Sequence, residues 1–105
     1  MKAPVPASEL ERLEALRRYG ILDTLPERDF DDLTSLAAQV CGTPMALVTL
    51  VDAERQWFKA KVGVDVAETS RDLAFCAHTI LQSNLLIVPD ASTDPRFAEH
   101  PFVTT

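Results

Sequence analysis

Basic residues are scarce in this chain: ten Lys and Arg stand against sixteen Asp and Glu, a formal net charge of −6 over 105 residues. Gripping nucleic-acid phosphates takes a strongly basic surface, so nucleic acid is not an expected partner. Cysteine is scarcer still. Cys41 and Cys76 are too few for a disulfide scaffold, and both are expected reduced and unpaired in a cytoplasmic setting. No apolar run approaches the ~20 residues that span a bilayer, so membrane insertion is not expected. The opening Met1-Lys2-Ala3-Pro4-Val5-Pro6 has one lysine and no apolar core, unlike a signal peptide. Internal repeats and low-complexity segments are absent. What remains is an ordinary globular balance, 47% hydrophobic and 25% charged, with room for one domain.

Three glycines, at 20, 42 and 63, punctuate the chain. Ser8 and Glu11 stand at capping-box spacing, and Leu10, Leu13 and Leu16 recur every three residues before Gly20. This spacing predicts a leading helix over about 8–19 whose narrow stripe faces another helix, its own neighbour or a dimer mate. Thr24 and Glu27 repeat the capping spacing, and Phe30, Leu33, Leu36, Ala37 and Val40 predict a second helix with a broader buried face, ended by Gly42 and Pro44. Met45 to Val51 reads as a strand apolar on both faces, hence central in a sheet. After the polar turn Asp52–Arg55, Phe58, Ala60 and Val62 alternate with Trp57, Lys59 and Lys61, the mark of a half-exposed strand closing an antiparallel hairpin. Gly63 to Arg71 reads as a loop. Asp72 is placed to cap a third helix running to about Gln82, Leu85 to Val88 is expected as a third strand, and Asp94-Pro95 opens a short helical turn. The fold class is α+β, with helices packed on an antiparallel sheet.

Several segments then carry a resemblance: Leu16 to Thr24, Ala46 to Asp52, Arg55 to Lys59, Phe75 to Leu81, Val88 to Ala91 and Asp94 to Phe97, in that order. Together they resemble the GAF domains of bacterial signalling proteins, modules at the front of sensor histidine kinases and diguanylate cyclases. The resemblance implies a regulatory sensor with a core over about 24–105. It also implies further strands and a closing helix beyond the matched two thirds, so the domain is expected to be incomplete. An output kinase or cyclase domain is the implied partner if the chain belongs to a longer protein, and their catalytic motifs are absent here. The implied pocket lies between the sheet and the segment from Asp72 to Phe97, with Trp57, Arg71, Phe75, Cys76, His78, Asp90, Arg96 and Phe97 as ligand-binding candidates.

Each candidate has a plainer reading beside it. Cys76 and His78 sit about 200° apart on a helix and supply only two ligands, so no metal is expected. Cys76 as a small packed hydrophobe and His78 bonded to backbone or facing the pocket is the preferred account. A helix N-terminus lowers a thiol's pKa, and GAF proteins that reduce free methionine sulfoxide carry a cysteine nearby. They need partner cysteines that this chain lacks after Cys76, so that activity is a remote alternative. Phytochrome-type attachment of a bilin takes Cys followed directly by His, and here Ala77 intervenes. Trp57 is expected under a helix or loop rather than as a stacking platform. Arg71 and Arg96 suit an anionic ligand such as a cyclic nucleotide, although surface ion pairing explains them more simply. No cofactor is identified and no catalytic residue is assigned. The expected function is small-molecule sensing passed to an output domain. The competing reading is a ligand-free module that dimerises through the leading helix or an open sheet edge.

Overall fold

Glu9 and Glu11 in the first turn and Arg17 and Arg18 in the last complement the dipole of helix α1 (Glu9–Tyr19), in the computed structural model that describes residues 2–104. Thr105, the end of the expected core, lies outside the described residues. Gly20 stops α1 in the left-handed conformation. The Ser8 capping box does not form. Ser8 takes φ −93° and ψ 22° rather than the extended geometry that aims a hydroxyl at the first turn, and only its carbonyl is used, by the N–H of Arg12. The leucine stripe is also narrower than expected. Leu13 is buried and Leu16 half-buried, but Leu10 is 83% exposed.

The second helix, α2 (Arg28–Cys41), starts later than its Thr24 signal because the Thr24 hydroxyl turns back onto the carbonyl of Ile21. Asp23 beside it has φ 60°, a conformation Asp tolerates, and this points its carboxylate at Arg55. The buried face of α2 is not the expected one. Thr34 is fully buried, with Phe30 and Ala38 half-buried one turn to either side, whereas Leu33, Leu36 and Val40 are exposed. Those three lie roughly 120° around the helix from Thr34 at ~100° per residue. Small residues let the helix approach the sheet closely, and the bulkier stripe is left outward.

Strands β1 (Ala46–Val51) and β2 (Arg55–Val62) form the expected antiparallel hairpin, closed by Asp52 N–H to the Arg55 carbonyl at 2.8 Å. The register shifts between Val48 and Thr49, which leaves Lys59 as the extra residue on β2. The third strand is β3 (Glu68–Ser70), inside the segment expected as a loop, and it pairs with the start of β2. The order is therefore β1-β2-β3, with β2 central and β1 at an edge. This corrects two expectations. β1 is not the central strand, and β2 is not half-exposed, since residues 56–60 are buried on both faces. Gly63, at φ +76°, ends β2 where a Cβ would stand 2.2 Å from the Pro44 carbonyl oxygen, so no side chain fits there.

The expected helix from Asp72 to Gln82 is broken. A 3₁₀ turn (Arg71–Leu73) is followed by Ala74 at ψ 127°, and only one helical turn, α3 (Cys76–Thr79), comes after it. Asp72 is not a cap. Its N–H donates to the Ser70 hydroxyl, which holds that position instead. Leu85 to Val88 is irregular rather than a strand, and Leu85 and Ile87 face outward without a neighbour to pair with. Asp94 does cap its turn as expected, accepting from the Arg96 N–H at 2.9 Å, and α4 (Pro101–Thr104) ends the described chain. The fold class is α+β, with helices on an antiparallel sheet. No described helix is long and apolar enough to cross a membrane.

Candidate functional site

The two sheet faces carry different parts of the candidate set. Side chains alternate along a strand, so Thr49 and its neighbour Leu50 point to opposite faces. Thr49 donates a hydrogen bond to the Cys76 Sγ of α3 at 3.2 Å, while Trp57, paired with Leu50, lines a cleft with Asp31 and Ser35 of α2. Trp57 is therefore buried on the α2 face, away from the other aromatic candidates.

On the α3 face four rings converge. Phe75 and Phe97 stack at 4.2 Å between centroids with 20° between planes. His100 meets Phe75 edge-on at 4.8 Å, and His78 meets Phe97 edge-on at 4.9 Å. Phe97 and His100 are each 1% exposed. The break at Ala74 makes this possible, because it lets Phe75 lead into α3 while the Leu73 carbonyl turns to accept from His100 Nε2. Offset rings at these separations gain more than their buried area alone provides.

Arg96 sits at the rim. Its guanidinium lies 5.3 Å from the Phe97 ring centre and makes a two-pronged pair with Asp94, at 3.0 and 2.7 Å. These bonds, together with the Arg96 N–H, hold the Asp94 carboxyl at about 2, below its ordinary range, and raise the guanidinium's pKa in turn. The Arg96 side chain remains partly open to solvent. Chemically, this corner is a closed apolar ring stack with an ion-paired, partly exposed cation at its rim.

The other candidates lie elsewhere. Asp90 is exposed, and its carboxylate accepts from the Ser92 N–H and hydroxyl. Arg71 is 8% exposed and committed to Glu9 of α1 and to the carbonyls of Asp52 and Ala53. Cys41 is exposed and Cys76 half-buried, both as free thiols. Among the described residues no three His, Cys, Asp or Glu side chains are placed to hold a metal ion. The structure thus gathers Phe75, Cys76, His78, Arg96 and Phe97 into one region and leaves Trp57, Arg71 and Asp90 outside it.

Two participants carry no local signal in the sequence. Thr49 reads only as one residue of an apolar run, yet it is the partner of Cys76. Lys59 reads as a solvated strand residue, yet its side chain is 0% exposed. Its ammonium reaches Thr24 Oγ1 at 2.7 Å, the Leu25 carbonyl at 2.7 Å and Glu27 at 2.6 Å, and it lies over the Phe30 ring.

No protein-family model matches the chain. It is 36% identical over 100 residues to a cyclic di-GMP phosphodiesterase of Pseudomonas aeruginosa. The match takes in 95% of this chain and 17% of that relative, so the chain spans about a sixth of the relative's length.

Proposed function

We propose that the chain is a GAF-type regulatory module of a bacterial cyclic di-GMP signalling protein, sensing a small molecule and passing its state to an output domain or partner. The observation that carries this reading is the extent of the match: nearly all of this chain aligns with a small part of a phosphodiesterase, as expected for an accessory segment of a larger enzyme. The partly exposed Arg96 guanidinium at the rim of the Phe75–Phe97 stack supports a ligand with a negative charge, such as a cyclic nucleotide, whose flat ring would reach the buried Phe97 only after the segment opens. Binding there competes with Asp94 for the guanidinium. A ligand favouring the released arginine would shift the segment between two arrangements, which is the physical content of a sensor. Catalysis, on this reading, belongs to another segment. Isothermal titration against cyclic di-GMP, cyclic mononucleotides and their linear counterparts tests it. A saturable heat lost in Arg96→Ala is expected, and flat traces from folded protein overturn the ligand.

A ligand-free dimerisation module is the second reading, and a different observation favours it. β1 is an edge strand without a charge or a proline, and its bulge falls on β2, so it lacks the usual devices that protect an edge. A second copy of β1, related by a two-fold axis normal to the sheet, would continue the sheet. The two α2 helices would then share one face, near the exposed Leu33, Leu36 and Val40. Light scattering that gives a monomer at micromolar concentration discards this reading.

A further inference from the structure

Helix α1 is fastened mainly by charge. Leu13 is its one fully buried apolar residue among those described, and Leu10 points to solvent. At its first turn the Glu9 carboxylate receives two guanidinium groups. Arg12 donates at 3.0 and 2.8 Å from the same helix, and Arg71 donates to both carboxylate oxygens, one at 3.2 Å, from 62 positions further along the chain. The two arginines also cap main-chain carbonyls at the end of β1 and in the turn after it. Arg12 donates to Val51, and Arg71 to Asp52 at 3.1 Å and Ala53 at 3.4 Å. One carboxylate thus bridges two cations in a site largely closed to water, and the main-chain carbonyls take up the positive charge left over, with side-chain exposures of 15% for Glu9, 21% for Arg12 and 9% for Arg71.

Arg71 connects onward. It opens the 3₁₀ turn Arg71–Leu73, whose last carbonyl is held by His100, and His100 packs edge-on against Phe75. We propose that Glu9 is an ionic latch whose closure couples the docking of α1 to the arrangement of residues 71–79. The coupling has a physical route of consecutive contacts: Glu9 to Arg71, Arg71 through its turn to Leu73, Leu73 to His100, and His100 to Phe75. Opening the latch leaves Arg71 and Arg12 facing each other without their counter-ion, and α1 is the element free to move away, since its apolar side is anchored by little more than the buried Leu13 and the half-buried Leu16. This holds whether or not the aromatic cluster takes a ligand.

Amide hydrogen exchange on the 105-residue chain tests the latch, with Glu9→Gln against Glu14→Gln, an exposed position on the same helix. Glu9→Gln is expected to speed exchange at least tenfold in residues 10–19 and in residues 74–79, while residues 55–62 keep their protection. Glu14→Gln is expected to change neither. Exchange that rises in α1 alone overturns the coupling, and a uniform rise that includes β2 overturns the latch as a local device. Should Glu9→Gln fail to fold, Arg71→Lys keeps the charge and loses the fork. It is expected to give a smaller rise in the same two segments, and no rise there overturns the proposal.

Discussion

The hairpin of β1 and β2 and the segment from Arg71 to His100 are held together in different ways. In the hairpin the backbone ladder repeats along the strands, and side chains from residues 56–60 are buried on both sheet faces. The later segment has only single turns. Ser70, Asp90 and Asp94 each fasten the backbone locally, and His100 reaches back to the Leu73 carbonyl. A ladder shares its load among equivalent bonds, whereas these turns depend on individual side chains and one ring stack. The region that carries the ring stack is therefore also the one with the fewest interchangeable supports.

Truncating Trp57 to Ala should produce the largest effect, a loss of about 3–5 kcal/mol of global stability in urea unfolding, because the central strand carries this ring buried on its α2 face. A loss below about 1 kcal/mol would place the stability elsewhere and erase the contrast between the regions. Phe97→Ala should cost about 3 kcal/mol, expressed first as faster amide exchange in residues 74–100 while β2 stays protected. Equal loss of protection in β2 would show that the two regions open as one unit.

Acid should act next, and on the turn-held contacts. Glu9 is held at about 2 by Arg12 and then Arg71, against an ordinary value of 4.5, and Asp94 at about 2 against 3.8. Both pKa values are depressed in the fold, so these contacts stabilise fully above the ordinary values and lose their effect as pH falls toward about 2. Thermal unfolding should be nearly flat above about pH 5 and fall below it, less steeply in Glu9→Gln. An unchanged acid slope in that variant would remove Glu9 from the account. Lys59→Met should change stability by less than about 1 kcal/mol, because Met fills the stem's place and the Glu27 left behind is 60% exposed and stays solvated. A loss above about 3 kcal/mol would mean that the three oxygens around the ammonium depend on it. Smallest of all, Cys41→Ser should stay within about 0.5 kcal/mol of the parent, and in the parent Cys41 should react with a thiol reagent before Cys76.

What could be read from residues alone follows the same division. Both long helices, their glycine stops, the hairpin and the Asp94 turn are written locally, in periodicity and in residues with few backbone options. The aromatic candidates Phe75, His78 and Phe97, named from a resemblance, do lie together. Arg71 and Trp57 do not join them, since the one is taken by Glu9 and the other faces α2. Neither fact has a local trace, because Glu9 and Arg71 meet across 62 positions of chain.

The sequence by itself determined where the chain can be helical, where it must turn and that it mixes helices with an antiparallel sheet, because those properties rest on neighbours within a few residues. Tertiary structure decided which face of α2 was buried, that β2 rather than β1 stood in the middle, and that Glu68–Ser70 rather than Leu85–Val88 became the third strand. Strand pairing and helix docking are chosen by long-range contacts in competition. An apolar pattern shows only that a surface is suited to burial, not which partner wins it.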